Sequence, residues 1–174
     1  MEIRAAEAGE YETIADITVN AYVDEARRNG SAESVGDASH FNSAYVPELR
    51  NVAGRARDAV VLVAADGDFI LGAVTYVPGL GPYAEFDDPD AAGIRMLAVT
   101  PAAQGRGVGA ALVRACLDRA RSEGRARVVL HSTPWMVTAG RMYGRLGFRR
   151  APERDWAPAR DVELLGYEFD FGAP

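Results

Sequence analysis

Three glycines at alternate positions, Gly105, Gly107 and Gly109, stand in the stretch QGRGVGAALV where a helical pattern begins. Inside a helix, glycine costs about 1 kcal/mol relative to alanine, so using it three times asks for a reason. At a helix N-terminus, unsatisfied backbone N–H groups and the positive end of the helix dipole attract an anion. Residues without a β-carbon let a phosphate approach those amides, and Arg106 adds a positive charge beside them. The chemistry on offer is a phosphate or pyrophosphate cradle; the plainer alternative is a tight turn. Gly105 to Ala110 also fits G-x-G-x-x-A, the dinucleotide fingerprint of nicotinamide-dependent oxidoreductases. That fingerprint expects an acid for the ribose about twenty residues on, after the next strand, where this chain reads RVVLHS. It is not a P-loop either, because no Gly-Lys-Ser/Thr follows.

Few other residues offer strong chemistry. Cys116 falls in line with Leu112 and Ala120 at helical spacing, which reads as a buried thiol on an apolar face. One cysteine excludes an internal disulfide. With only two histidines, His40 and His131, a Cys/His zinc site is not expected, and no metal is. His131 ends an apolar strand and fits a hydrogen-bonded structural role better than a proton relay. Acids cluster in EFDDPD as Glu85, Asp87, Asp88 and Asp90. At the mouth of a site, such a cluster would favour a cationic partner.

These residues need elements to hold them. Glu2 to Ala5 reads as a short strand. A helix follows, with Ile14, Ile17, Ala21 and Tyr22 on one face and Gly30 and Ser31 ending it. A short helix is expected from Pro47 to Arg57. The aliphatic runs on either side of Asp66-Gly67-Asp68 form a hairpin. IRMLAV, residues 94–99, is a buried strand; Val108 to Glu123 is a helix capped by Gly124. RVVLHS is another strand, a short helix runs to Gly147, and ELLGYEFDF closes the chain as a strand. Between these last two elements, FRRAPERDWAPARDV reads as a charged turn region, and Pro152 to Asp161 suits a lid or a subunit contact. Strand, glycine loop, helix and strand make one βαβ unit in a mixed α/β domain.

Composition agrees. At 174 residues, with 48% hydrophobic and 25% charged, the chain suits one globular domain spanning 1–174. Its 25 acidic against 19 basic residues, net −6, argue against nucleic acid or an anionic membrane as partner. No apolar run spans a bilayer and the first residues lack a signal-peptide core, so a cytoplasmic setting is expected.

Read outward from the glycines, Gln104-x-x-Gly107-x-Gly109, preceded by MLAVTPAA, resembles the acyl-CoA loop of the Gcn5-related N-acetyltransferase (GNAT) superfamily. In AGRMYGRLGF, Ala139, Tyr143, Gly147 and Phe148 match that family's A-x-x-x-Y-x-x-x-G-F segment. The N-terminal IRAAEAGEYETIADITVNAY is similar to its first strand and helix. The resemblance implies a mostly antiparallel central sheet with helices on both faces and splayed central strands. It also implies an acyltransferase that moves an acetyl group from acetyl-CoA to a small-molecule or peptide amine, as a monomer or homodimer. A non-catalytic acyl-CoA-binding module is the alternative.

Carried over residue by residue, the resemblance puts backbone groups of Leu97, Ala98 and Val99 against the pantetheine arm. The amides of Gln104, Gly105, Arg106, Gly107, Val108 and Gly109 hold the pyrophosphate, and Ala139 adjoins the cofactor. A backbone N–H near Val99 polarises the thioester carbonyl, a donor of a kind worth about 3–4 kcal/mol in other enzymes. Tyr143 takes the place of the general acid beside the sulfur. Many relatives carry a glutamate base around the strand at 94–99, but Ala92, Gly93 and Ile94 cannot take a proton. Glu85, in the aromatic stretch YAEF, is the expected base instead. Met136 stands where the family often has asparagine and offers no strong hydrogen bond. With Trp135 it suits an apolar wall.

Overall fold

The computed structural model of the protein describes residues 1–29, 45–159 and 162–172. The Asp-Gly turn organises the first half. β2 (Val60–Asp66) and β3 (Phe69–Val77) pair antiparallel, and Gly67, at φ +58°, supplies the left-handed residue that the turn needs. β1 (Glu2–Ala5) pairs with the far side of β2, and β4 (Ala91–Val99) with the far side of β3. β4 also pairs in parallel with β5 (Arg127–Ser132), through a crossover containing the helix of residues Val108–Ser122. The last strands, β6 (Arg149–Arg150), β7 (Trp156–Ala159) and β8 (Val162–Asp170), complete a mostly antiparallel sheet of eight. Its order is β1-β2-β3-β4-β5-β8-β6, with β7 paired to β8.

Strand alternation divides the core between the two faces. Leu62 and Ala64 of β2 face Leu112, Val113 and Cys116 of the crossover helix. Val61 and Val63 face the helix of residues Tyr11–Asn29 (α1), through Ile14 and Ala15, and that of residues Val52–Asp58 (α2), through Val52. The crossover helix is therefore α3, and Val137–Arg145 is α4, whose Tyr143 joins the α3-side cluster with Phe148. Because β2 and β3 are buried on both faces, their sequences run apolar without alternation.

Two stretches differ from expectation. The helix expected from Pro47 to Arg57 is broken: residues 45–50 are helical, and Asn51 interrupts the chain. Its side chain accepts from the Gly54 N–H at 3.0 Å and caps α2. The buried Arg55 then donates to Glu48 O and Leu49 O, the last carbonyls of the 45–50 turn, at 3.0 and 2.8 Å. The charged region after Phe148 is not only turn. It holds β6, a 3-10 turn at Pro152–Arg154, and β7, an edge strand that tolerates Pro158. Strands this short carry no readable period. Gly30, Ser31, His40, Arg160 and Asp161 lie outside the described residues.

Candidate active site

β4 and β5 are paired only from Ala91↔Arg127 to Ile94↔Leu130, and then diverge. The cause lies at Met96, which has φ +54°. Against β3, Ala73 stands opposite Ala98 but Thr75 opposite Arg95, so β4 carries one extra residue there. Such a bulge bends its strand and re-aims the residues beyond it. Here it resets the side-chain phase. Ile94 faces the α3 side, and so do Leu97, three residues on, and Val99. The fork opens a cleft of about 380 Å³ whose wall includes the open arm of β4, the glycine loop, α4 and the end of β5.

The glycines do two different jobs. Gly105 and Gly107 sit at φ +74° and +80°, where an L-residue is strained, and Gly107 forms the N-cap of α3. Gly109 has no positive φ. A β-carbon there would stand 3.4 Å from Met142 Sδ and 3.6 Å from Val99 Cγ2, so this glycine keeps the cleft wall low. The amides of Gln104 and Arg106 turn back onto Pro101 O and Ala103 O, at 3.3 and 3.4 Å. Those of Gly105, Gly107, Val108 and Gly109 have no partner among the described residues. They form an anion cradle at the positive end of α3. Along the open arm, Thr100 N–H donates to Leu71 O on β3 at 2.9 Å, so alternation turns the Val99 N–H toward the cleft. A phosphate-bearing ligand with an extended, amide-containing arm fits these donors.

On the α3 side of the fork, Tyr143 is only 6% exposed and lines the cleft. Its ring packs 5.8 Å from both Phe148 and Tyr167, and its hydroxyl has no partner among the described residues. Burial, with Tyr167 and Cys116 adding to it, pushes the phenol well above its usual range, so it keeps its proton at neutral pH. Ser132 lines the same cleft. Cys116 is fully buried, and burial pushes its thiol up to about 12, so it is no nucleophile.

The opposite side of the fork is charged. Arg95 lines the cleft, and its guanidinium pairs with Glu85 at 2.6 Å and Glu48 at 3.0 Å, with the Tyr45 hydroxyl at 3.3 Å. Burial opposes its charge, and Glu85, Tyr45 and Glu48 together more than restore it. The other Glu85 oxygen lies 3.6 Å from His131 Nδ1. His131 Nε2 is 2.9 Å from the Arg154 carbonyl, which only accepts, so Nε2 carries the hydrogen. Glu85 reaches this place because Phe86 packs its ring onto Gly93 of β4, 2.7 Å from where a β-carbon would be.

Of the residues singled out in the sequence, Leu97, Ala98, Val99, Gln104, Gly105, Gly107, Val108, Gly109, Ala139 and Tyr143 all line the cleft. Arg106 stays exposed on the loop, and Glu85 stands one side chain behind the wall, against Arg95 and His131. Asp88, from the same acidic cluster, is tied to Arg127 and Arg154 at 2.5 and 3.3 Å. Half of that cluster is thus spent on internal ion pairs. Sequence reading missed Tyr22 and Glu25 of α1, and Arg95 and Ser132, which the fold brings to the cleft. For α1 the signal was present: Tyr22 and Glu25 stand three apart, on one helical face. Among the described residues, no group of His, Cys, Asp or Glu has the arrangement of a metal site, and no helix is long and apolar enough to cross a membrane.

The model of the acetyltransferase (GNAT) family matches residues 18–148 of the chain. No curated protein matches it by sequence. Several solved structures share its fold. The ribosomal-protein-alanine N-acetyltransferase from Brucella melitensis is 20% identical with a TM-score of 0.66, covering 98% of this chain and 100% of that one. A GCN5-related N-acetyltransferase from Kribbella flavida is 24% identical with a TM-score of 0.66, covering 98% and 97%. A putative acetyltransferase from Salmonella typhimurium, solved with its cofactor acetyl-CoA, is 20% identical with a TM-score of 0.63, covering 100% and 95%.

Proposed function

The chain belongs to the acetyltransferase (GNAT) family and is an acetyl-CoA-dependent N-acetyltransferase, and from that premise we propose that a primary amine, on a small molecule or a peptide, attacks the thioester directly in a ternary complex. The observation that carries this reading is the fork between β4 and β5, with the free amides of the glycine loop near Val99 and Tyr143 in its wall. The lone buried thiol of Cys116 supports a route without a covalent enzyme intermediate, and suits a reducing, cytoplasmic setting.

Acetyl-CoA supplies the activated acyl group, and the chain's own residues do the rest. Amides of Gly105, Gly107, Val108 and Gly109 hold the pyrophosphate at the N-terminus of α3, while Leu97, Ala98 and Val99 bind the pantetheine through their backbone and Ala139 closes the cofactor side. A backbone N–H near Val99 polarises the thioester carbonyl and stabilises the oxyanion. Tyr143 gives its proton to the departing sulfur. Glu85, beside His131 and Arg95, takes the proton that the incoming ammonium must lose, by way of water. All of 1–174 serves as one such domain.

The test is a free-thiol assay with acetyl-CoA across a panel of primary amines. Thiol release that depends on the amine supports the reading. Acetyl-CoA that raises the melting temperature but is never turned over with any amine would make the chain a binding module instead.

A further inference from the structure

Ser132 Oγ is a buried polar atom of the cleft that the transfer step does not use. Ser132 is 4% exposed, lines the cleft, and its Oγ has no hydrogen-bond partner among the described residues. A buried hydroxyl without a partner destabilises a fold, so its presence points to a partner that arrives with a ligand. Its position says which part of the ligand. Ser132 lies two residues beyond the last β4–β5 pair, Ile94↔Leu130, and Met96, the bulge, lies two beyond that pair on the other arm. The glycine loop starts only after Val99, at the far end of the β4 arm. Ser132 therefore stands at the inner end of the cleft, remote from the anion cradle. Alternation along β5 places it on the face of Val128 and Leu130, the cluster that holds Tyr143.

We propose that the Ser132 hydroxyl donates a hydrogen bond to the sulfur of the cosubstrate as it leaves, making Ser132 a second leaving-group residue beside Tyr143. This rests on the acetyl-transfer reading. In the step, the amine lone pair forms the new C–N bond while the C–S bond breaks, and its electron pair leaves on sulfur. The thiolate so formed is a strong acceptor, whereas the thioester sulfur is a weak one, so the Ser132 bond strengthens as the reaction proceeds. The Tyr143 phenol then passes its proton to that sulfur and is reprotonated from water. The ammonium loses one proton to the base before attack, and the acylated nitrogen sheds a second to the water that restores the Tyr143 proton, so the products are the amide, the free thiol and one proton held by the base.

The test needs no acceptor. Calorimetry compares coenzyme A with desulfo-coenzyme A, in which hydrogen replaces the thiol, from about pH 7 to about pH 9.5, across the usual thiol range. In the wild type, preference for coenzyme A grows with pH as the thiolate forms, by roughly ten-fold, the size of a hydrogen bond to a charged group. Ser132→Ala removes most of that growth without changing affinity for desulfo-coenzyme A, and Ser132→Thr, which keeps the hydroxyl, restores it. In turnover with an accepted amine, Ser132→Ala lowers kcat by roughly ten-fold and leaves KM in place. If Ser132→Ala retains the full pH-dependent preference, or weakens both ligands alike, the assignment of the sulfur is wrong. Failure of the wild type to bind either ligand would instead overturn the acetyl-CoA reading on which it rests.

Discussion

Replacing the loop glycines one at a time separates their two jobs. At Gly107 the backbone sits at φ +80°, and an added β-carbon would meet nothing within 4 Å. The cost of Gly107→Ala is therefore conformational. Left-handed geometry disfavours an L-residue by about 1–2 kcal/mol, offset in part by about 0.4–1 kcal/mol from the stiffer unfolded chain. A net loss of about 1 kcal/mol lowers Tm by roughly 2–4 °C in a chain of this size. Gly109 should behave in the opposite way. Its φ is not positive, it lies in the first turn of α3, and a β-carbon would make ordinary contacts with Met142 Sδ at 3.4 Å, Val99 Cγ2 at 3.6 Å and Leu97 Cδ2 at 3.8 Å. Gly109→Ala gains up to about 0.5–1 kcal/mol of helix propensity, so the ligand-free Tm holds or rises by roughly 2 °C. The same methyl takes room from the cosubstrate. A ten-fold weaker affinity removes about 1.4 kcal/mol of ligand stabilisation, so the Tm rise caused by acetyl-CoA shrinks by roughly 3–5 °C. Calorimetric melts with and without acetyl-CoA read both effects. If the two variants shift the ligand-free Tm in the same direction, or Gly109→Ala keeps the full ligand-induced rise, this account of the loop is wrong.

Four further outcomes are expected. Tyr143→Phe lowers kcat at saturating acetyl-CoA by about 10²-fold with little change in KM, and Glu85→Gln abolishes the acidic limb of the kcat/KM profile; unchanged turnover in either variant removes that residue from the proton path. Asp155 accepts from both Arg150 Nη atoms, at 2.9 and 2.8 Å, and from Gly166 N at 2.7 Å, and these partners hold its carboxyl below the usual range. Stability from a depressed carboxyl is present above the unfolded pKa of about 3.9 and is lost as pH falls through the folded value. Asp155→Asn is therefore less stable than wild type at pH 7, by a gap that closes below about pH 4; a gap constant to pH 2, in denaturant melts, contradicts the ion pair's role. Cys116, fully buried and with its thiol pushed up to about 12, resists iodoacetamide in the native protein and reacts only as the chain unfolds. Rapid alkylation with loss of turnover would point to a covalent route.

What the sequence made legible was local. Gly67 between aliphatic runs marked the hairpin, and the glycines before Val108 marked a helix start, because turn and cap geometry depend on neighbouring residues. The fork was reached through the likeness of AGRMYGRLGF to a known family. Nothing in GIRMLAV announces a bulge, since methionine is an unusual occupant of positive φ and apolar runs hide their phase. Arg95 meets Glu48 and Tyr45 across 47 and 50 residues of chain, and pairings that distant leave no local mark. Glu85 was visible as an acid, while its clamp by Arg95 was not. In the sequence Ser132 is the last letter of an ordinary strand, and only its unpartnered hydroxyl in the cleft wall distinguishes it from a core serine.

The parting of β4 from β5 gives this sheet something sheets usually carry only at their rims: two bare strand edges facing each other in the interior. A bare edge invites another extended chain, and in the proposed complex the opening takes one slender guest. The pantetheine arm, with amides spaced along a thin chain, can complete hydrogen bonding there much as a missing strand would. On one side stand β1 to β4 and on the other β5 with β6 to β8, joined directly at only four residue pairs. In the proposed complex the acyl donor would also be a splint, bridging two half-sheets that otherwise share only that short seam.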